Sequence, residues 1–276
     1  MRASNTVVFC AIDELIPIGG RPLTGFLEFL DSLAQLGIPC VWTTSRNRHQ
    51  LDAAIRKLGH GQPFIAEGGS CAYLADTYFH LKLADTVRLG RFIAIPVAKR
   101  QPAAAETLEA LAEETGITVV SLRSLSRREL VQNTGLPRNE AESIRQRDFD
   151  ELFFFAGATQ QDIDRFRQQA AQMKASVRPR DVLWSLAVNA NLATCVRELR
   201  KLYDRALHKP AFAVGIGTAS DEADLFVACD RAILLTDVAD DAPTRRAKSG
   251  PAPRPLPLFH GDPWSQALEM IRNRGF

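Results

Sequence analysis

The chain has 276 residues, 46% of them hydrophobic and 24% charged, and its 34 basic and 32 acidic side chains leave a formal net charge of +2. That length allows one large or two modest domains with a sizeable core, and so even a charge balance gives nucleic acid or an anionic membrane no electrostatic footing as a partner. The five cysteines form no CxxC pair, the five histidines show no HxxxH spacing, and no apolar run approaches the ~18 residues of a membrane span. A disulfide framework, a zinc knuckle and a transmembrane helix are thereby excluded, and a reducing cytoplasm is the expected setting.

The opening MRASNTVVF reaches only a short apolar run before Asp13, so no secretory leader is expected. TVVFCAI, residues 6–12, is a nearly continuous apolar run, as a strand buried on both faces would be. LTGFLEFLDSLAQLG places Leu23, Phe26, Phe29, Leu30 and Leu33 at helical spacing and stops at Gly37. IPCVWTTS predicts a second buried strand, and Cys10 and Cys40 in these runs read as small core residues. NRHQLDAAIRKLG predicts a helix with Asn47 as N-cap and Gly59 as stop, and QPFIAEGG a third strand ending in glycines. Strand–helix–strand–helix–strand in this rhythm predicts a parallel α/β sheet.

The middle of the chain reads differently. RFIAIPVA, ITVVSL, DELFFFAG and RDVLWSLAV predict strands, with helices over about 103–115, 126–146 and 159–173, which together suggest a smaller α+β module. The first rhythm then returns: a helix in NLATCVRELRKLYDRAL, a strand in PAFAVGIG, a short helix in SDEADLFVAC, a strand in RAILLTD and a closing helix in DPWSQALEMIRN. Residues 240–257, rich in Pro, Ala and Arg, read as an exposed loop, and the Arg-rich runs RSLSRREL and PTRRAKSGPAPR as solvated surface. The predicted organisation is a core in two parts, 1–82 and 184–276, with an inserted cap at 83–183.

In an open parallel sheet, ligands bind beyond the carboxyl ends of the strands. Four strand ends are candidates: AIDE, TTSR, AEGG and GIGTASDE. Their order, with an insertion between the third and fourth, resembles the haloacid dehalogenase (HAD) superfamily. The stretches LSRRELVQNTGLPRNEAESIRQRDFDELFFF, GIPCVWTTSRNRHQL, PFIAEGG and GDPWSQAL are similar to the mannosyl-3-phosphoglycerate phosphatase family within it. The resemblance implies a HAD-like Rossmannoid core with an α+β cap, a phosphoric monoester hydrolase activity, a sugar-phosphate substrate and Mg²⁺.

The same resemblance locates the catalytic positions, and several carry the wrong side chain. The nucleophilic aspartate is replaced by Ala11, the lysine of the third motif by Leu192 and the metal-binding aspartate of the fourth by Thr218. Cys10 is no replacement nucleophile, because neighbouring strand residues face opposite ways. Asp13 stands at the general-acid position, either as its relic or as a polar residue that ends a strand and accepts from a loop amide. Asp221 and Glu222 keep acidity near the fourth motif, as ligands of a rearranged cation or as helix caps.

For substrate binding, the resemblance and the strand ends nominate Thr44, Ser45 and Arg46, which would hold an anion at a helix start or cap that helix. Glu67, Gly68 and Gly69 would admit a ligand close to the backbone or form a turn, although the family has Asn where this chain has Gly68. In the cap, Gln146, Arg147 and Arg180 fall on positions associated with substrate recognition; the alternative for them is a salt bridge inside the cap, with Asp148 or Glu151. Losing a covalent nucleophile costs on the order of 10⁶ in turnover, roughly 8 kcal/mol of barrier. The expected function is a catalytically impaired family member with a regulatory, ligand-binding or scaffolding role, the ligand being a phosphorylated or carboxylated sugar. The alternatives are an active Mg²⁺-dependent phosphatase with a rearranged site, and a subunit whose cap or 240–257 loop docks another protein.

Overall fold

The computed structural model of the chain describes residues 5–17, 20–59, 61–180, 182–218, 223–237 and 250–275. Two sheets organise them. The larger has nine strands: β1 (Thr6–Ala11), β2 (Cys40–Thr43), β3 (Phe64–Ala66), β4 (Cys71–Ala75), β5 (Val87–Leu89), β6 (Phe92–Pro96), β11 (Phe212–Gly217), β12 (Arg231–Leu235) and β13 (Arg254–Leu256). Their order is β13-β12-β11-β1-β2-β3-β4-β6-β5. From β13 to β3 all pairs are parallel, and from β3 to β5 they turn antiparallel. The smaller sheet is wholly antiparallel, in the order β7-β8-β10-β9, from β7 (Val119–Ser121), β8 (Asp150–Phe155), β9 (Ala175–Arg180) and β10 (Leu183–Val188).

The two faces of β1 enter different cores because side chains alternate along a strand. Val8, Cys10 and Ile12 pack with the helices α1 (Phe26–Gln35), α2 (Arg48–Leu58) and α9 (Pro263–Asn273). Val7, Phe9 and Ala11 pack with α7 (Leu192–Leu207) and α8 (Ala223–Val227). Cys10 and Ala11 therefore do lie on opposite faces. The Trp264 ring of α9 lies tilted at 5.1 Å from both Phe26 and Phe29 and donates its indole N–H to the Thr24 carbonyl at 2.9 Å, which locks the closing helix onto the first. The cap folds around two apolar clusters on opposite sides of its sheet. One joins α3 (Gln101–Thr115) and α6 (Gln160–Gln172) to Phe153 and Leu186, and the other joins α4 (Arg127–Thr134) and α5 (Arg138–Ile144) to Leu152 and Leu183.

Several expectations change. RFIAIPVA belongs to the large sheet, where β6 pairs with β4, so residues 83–96 extend the core. LWSLAV pairs with both β8 and β9 in the cap sheet, so the chain returns to the core after Val188 rather than at 184. The helix expected over 126–146 is broken into α4 and α5, because Gly135 takes a left-handed φ of 68° and Pro137 follows it. Within the expected 240–257 loop, β13 pairs with β12 and buries Leu256; residues 238–249 lie outside the described residues. Among the described residues no helix is long and apolar enough to cross a membrane.

Candidate functional site

Strand β1 ends on Ala11, paired in register with Thr43 at the end of β2. The chain turns at once, and Asp13 folds back over the end of β2. Its Oδ1 accepts from the Thr44 hydroxyl and its Oδ2 accepts from the Ser45 amide at 2.8 Å. Arg46 passes beneath: its Nε is 3.7 Å from Asp13 Oδ1, and its Nη2 donates to the carbonyls of Asp13, at 3.2 Å, and Ile16. Burial pushes the Arg46 pKa down despite the nearby Asp13 and Glu140. The hydroxyl and amide expected to meet an external anion are thus held by an internal one. Nor does Thr44 cap α2. That task falls to Asn47, whose side chain accepts from the Gln50 amide at 2.9 Å while Gln50 Oε1 accepts from the Asn47 amide at 3.2 Å.

Glu67 has a different occupation. It is buried, with a left-handed φ of 52°, and its carboxylate accepts from three successive amides of the cap, Asp148 at 3.0 Å, Phe149 at 2.8 Å and Asp150 at 2.9 Å. Burial, and then the neighbouring Asp150 carboxylate, raise its pKa to about 8. Arg147 lies beside it, Nε 4.0 Å from Glu67 Oε2, and makes a two-pronged pair with Asp150 while donating Nη2 to the Ser45 carbonyl at 2.8 Å. Its ion-pair partner is Asp150, not Asp148 or Glu151, because Arg48 holds Asp148 at 2.9 Å and Arg123 holds Glu151 at 3.2 Å. Glu67 and Arg147 therefore fasten core to cap.

The two glycines serve close approach. A Cβ on Gly69, at φ 96°, would collide with the Leu192 backbone where α7 begins. One on Gly68, at φ 63°, would collide with the Arg180 guanidinium. Arg180 projects from the end of β9 over this turn, and Arg178, two residues earlier on the same face, pairs with Asp224 of α8 at 2.7 Å. Both arginines line a cavity of about 150 Å³ over Ala11, with Asp13, Thr44 and Leu192. A neighbouring cavity of about 570 Å³ opens between core and cap, bounded by Asp13, Ser45, Arg46, Gln50, Arg147 and Arg180 and by apolar cap residues. Three of the four predicted strand ends meet here.

Other candidates do not join them. Gln146 is exposed and lines a separate depression with Arg123, Glu142 and Arg145. Asp221 and Glu222 lie outside the described residues. Mg²⁺ needs several oxygen ligands, usually with one or two carboxylates among them. Around Ala11 the acids are Asp13, already engaged by Thr44 and Ser45, and the exposed Glu14, and Arg178 and Arg180 line the same cavity. Among the described residues no three His, Cys, Asp or Glu side chains gather into a cation site. The described side chains do not fit Mg²⁺.

Sequence reasoning passed over Gln50, Arg178 and Asp224. The alternation of Arg178 and Arg180 along one strand was a usable signal. The pairing of Arg178 with Asp224 had none, since 46 residues separate them.

Comparison with known proteins places this geometry. No family model matches the chain. It is 22% identical over 209 residues to a glucosyl-3-phosphoglycerate/mannosyl-3-phosphoglycerate phosphatase of Methanococcoides burtonii, covering 75% of each chain. It is also 22% identical over 212 residues to the mannosyl-3-phosphoglycerate phosphatase of Pyrococcus furiosus, covering 77% of this chain and 84% of that one. The fold matches a haloacid dehalogenase-like hydrolase of Bacillus subtilis with a TM-score of 0.63 at 11% identity, over 97% of this chain and 99% of the other. The fold is HAD-like, and the sequence is similar to mannosyl-3-phosphoglycerate phosphatases. A HAD superfamily phosphatase from Bacteroides thetaiotaomicron gives a TM-score of 0.62 at 14% identity, over 99% and 97% of the two chains. In this HAD-like fold Ala11 stands at the strand end where the sequence resemblance puts the nucleophile.

Proposed function

We propose that this HAD protein is a catalytically impaired relative of the mannosyl-3-phosphoglycerate phosphatases that binds an organic phosphate or carboxylate between core and cap without hydrolysing it. The role would be regulatory, ligand-binding or scaffolding, and a phosphorylated or carboxylated sugar is the ligand class that the relatives' names suggest. One observation carries this reading: beside Ala11, the Asp13 carboxylate already occupies the Thr44 hydroxyl and the Ser45 amide. A methyl group cannot accept a phosphoryl group. An acid whose two oxygens are both engaged by the Thr44 hydroxyl and the Ser45 amide is tied to the end of β2 rather than turned toward a leaving group. What remains of the family's electrostatics is positive charge from Arg178 and Arg180, which favours binding an anion over turning it over.

The test is release of inorganic phosphate from an aryl phosphate and from a sugar phosphate, with and without Mg²⁺. The expected rate is that of buffer, unchanged in Asp13→Asn. Ala11→Asp alone is expected to stay silent, whereas combining it with Leu192→Lys and Thr218→Asp is expected to raise the rate, because these groups act as a unit. Robust turnover by the wild type that Asp13→Asn abolishes would establish a rearranged active phosphatase instead.

A further inference from the structure

Two residues that line the larger cavity each carry a buried nitrogen with no hydrogen-bond partner among the described residues. The nitrogens are Arg180 Nε, on the cap wall, and Gln50 Nε2, on the core wall. Buried polar groups are paired in nearly all native structures, so two such orphan nitrogens on residues that line one cavity need an explanation. Arg180 is the more costly of the two. Burial lowers its pKa, Asp13 and Asp150 are the acids that act on it, and Arg178 and Arg147 oppose its charge further. A guanidinium kept in that setting without a hydrogen bond is suited to an incoming anion.

The rest of the wall limits what that anion is attached to. Leu136, Ile144, Leu152 and Leu183 come from the edge of a cap core cluster, and Val182, 56% exposed, stands at the opening. The other polar groups on the cap side are already used: Thr134 donates to the Leu130 carbonyl at 2.6 Å, and Arg147 is committed to Asp150 and the Ser45 carbonyl. On the core side, Asp13, Ser45 and Arg46 bond one another and nearby carbonyls, which leaves the exposed Glu14 at the solvent side of the cavity as the acid an incoming anion must avoid. A sugar brings several hydroxyls, and each one buried against leucine without a partner costs about 1–3 kcal/mol.

We infer that the crevice takes an organic anion with an apolar body, its phosphate or carboxylate head between Arg180 and Gln50 and its body against Leu136, Ile144, Leu152 and Leu183. This rests on the non-hydrolysing, anion-binding reading above and narrows its ligand to a class other than sugars. Gly68 belongs to the same device, since any side chain there would displace the Arg180 guanidinium.

Calorimetric titration of the full chain with phenyl phosphate, phenylacetate, glucose 1-phosphate and inorganic phosphate tests it. An aryl anion is expected to bind about tenfold or more tightly than glucose 1-phosphate or inorganic phosphate. The first two probes decide whether the head is phosphate or carboxylate. Arg180→Met is expected to weaken the aryl anion about tenfold or more, and Gln50→Met by a smaller factor. Arg180→Met is also expected to hold or raise the melting temperature, because it removes an unpaired charge from a poorly solvated place; a guanidinium with a structural role would lower it. Glucose 1-phosphate binding as tightly as the aryl anions would overturn the inference and leave the non-hydrolysing reading standing. So would a loss of stability in Arg180→Met with affinity unchanged. Absence of binding by every probe would remove both the inference and the anion-binding reading, and hydrolysis of the probes would remove the non-hydrolysing reading alone.

Discussion

At Arg147 the guanidinium is almost wholly enclosed, with Asp150 and Glu67 as its only acidic neighbours within 4.0 Å among the described residues. Deleting one partner from such a cluster leaves the other charges stranded, so Arg147→Met is expected to cost about 3–5 kcal/mol by denaturant titration. Glu67 adds a pH dependence. Its pKa stands at about 8 in the fold against an ordinary value of 4.5, so between roughly pH 5 and 8 the folded state holds a proton that the unfolded chain has released. Stability from this group is complete below that window and declines as pH rises through it. The melting temperature of the wild type, measured against Glu67→Gln from pH 5 to 8, should therefore fall relative to the variant. His49, depressed by burial and by Arg48, tilts the other way at the acid end but is present in both proteins and cancels. A difference that is flat or rising would refute the assignment. The sequence showed Glu67 and Arg147 as charged residues in motif positions. That they meet each other was invisible, because they stand 80 positions apart, one in the core and the other in the insertion.

Among the elements, the turn after β3 shows how local signals and long-range packing divide. A Glu-Gly-Gly run announces a turn in any context. That Gly69 lies against the first turn of α7 depends on an element more than a hundred residues away. Gly69→Ala is expected to lose more than about 2 kcal/mol by chemical denaturation, since it combines a left-handed φ with a backbone collision. Gly37→Ala, with φ 66° but nothing within 4 Å of the added methyl, should lose about half as much or less. Helical periodicity identified α1, α2, α7 and α9 because each turns one apolar stripe to a core. It overran the break between α4 and α5, where Gly135 and Pro137 were already in view and were not used. The short strands β4, β5, β9 and β13 were not predicted; three to six residues carry little periodicity, and their pairing is decided by neighbours.

For the molecule as a whole, the cap is stapled to the core at several points: the Glu67 carboxylate on three cap amides, Arg147 on the Ser45 carbonyl, Asn47 Nδ2 on the Ser143 carbonyl at 2.6 Å, and Arg178 on Asp224. Core and cap are expected to unfold in one transition by calorimetry, and Arg147→Met to split it into two, because that change releases the central staple. Two resolved transitions in the wild type would count against such coupling. The sequence by itself determined the parallel core, the presence of an inserted α+β module, the family resemblance and the Ala, Leu and Thr at positions 11, 192 and 218, all of which rest on local pattern or residue identity. Only the tertiary structure decided where the insertion leaves and rejoins the sheet, that Asp13 fills the Thr44–Ser45 position, and that Arg180 and Gln50 line one cavity while Arg180 Nε and Gln50 Nε2 find no partner among the described residues. Those facts are contacts between segments far apart in the chain, and periodicity along one segment carries no record of which distant side chain will satisfy it.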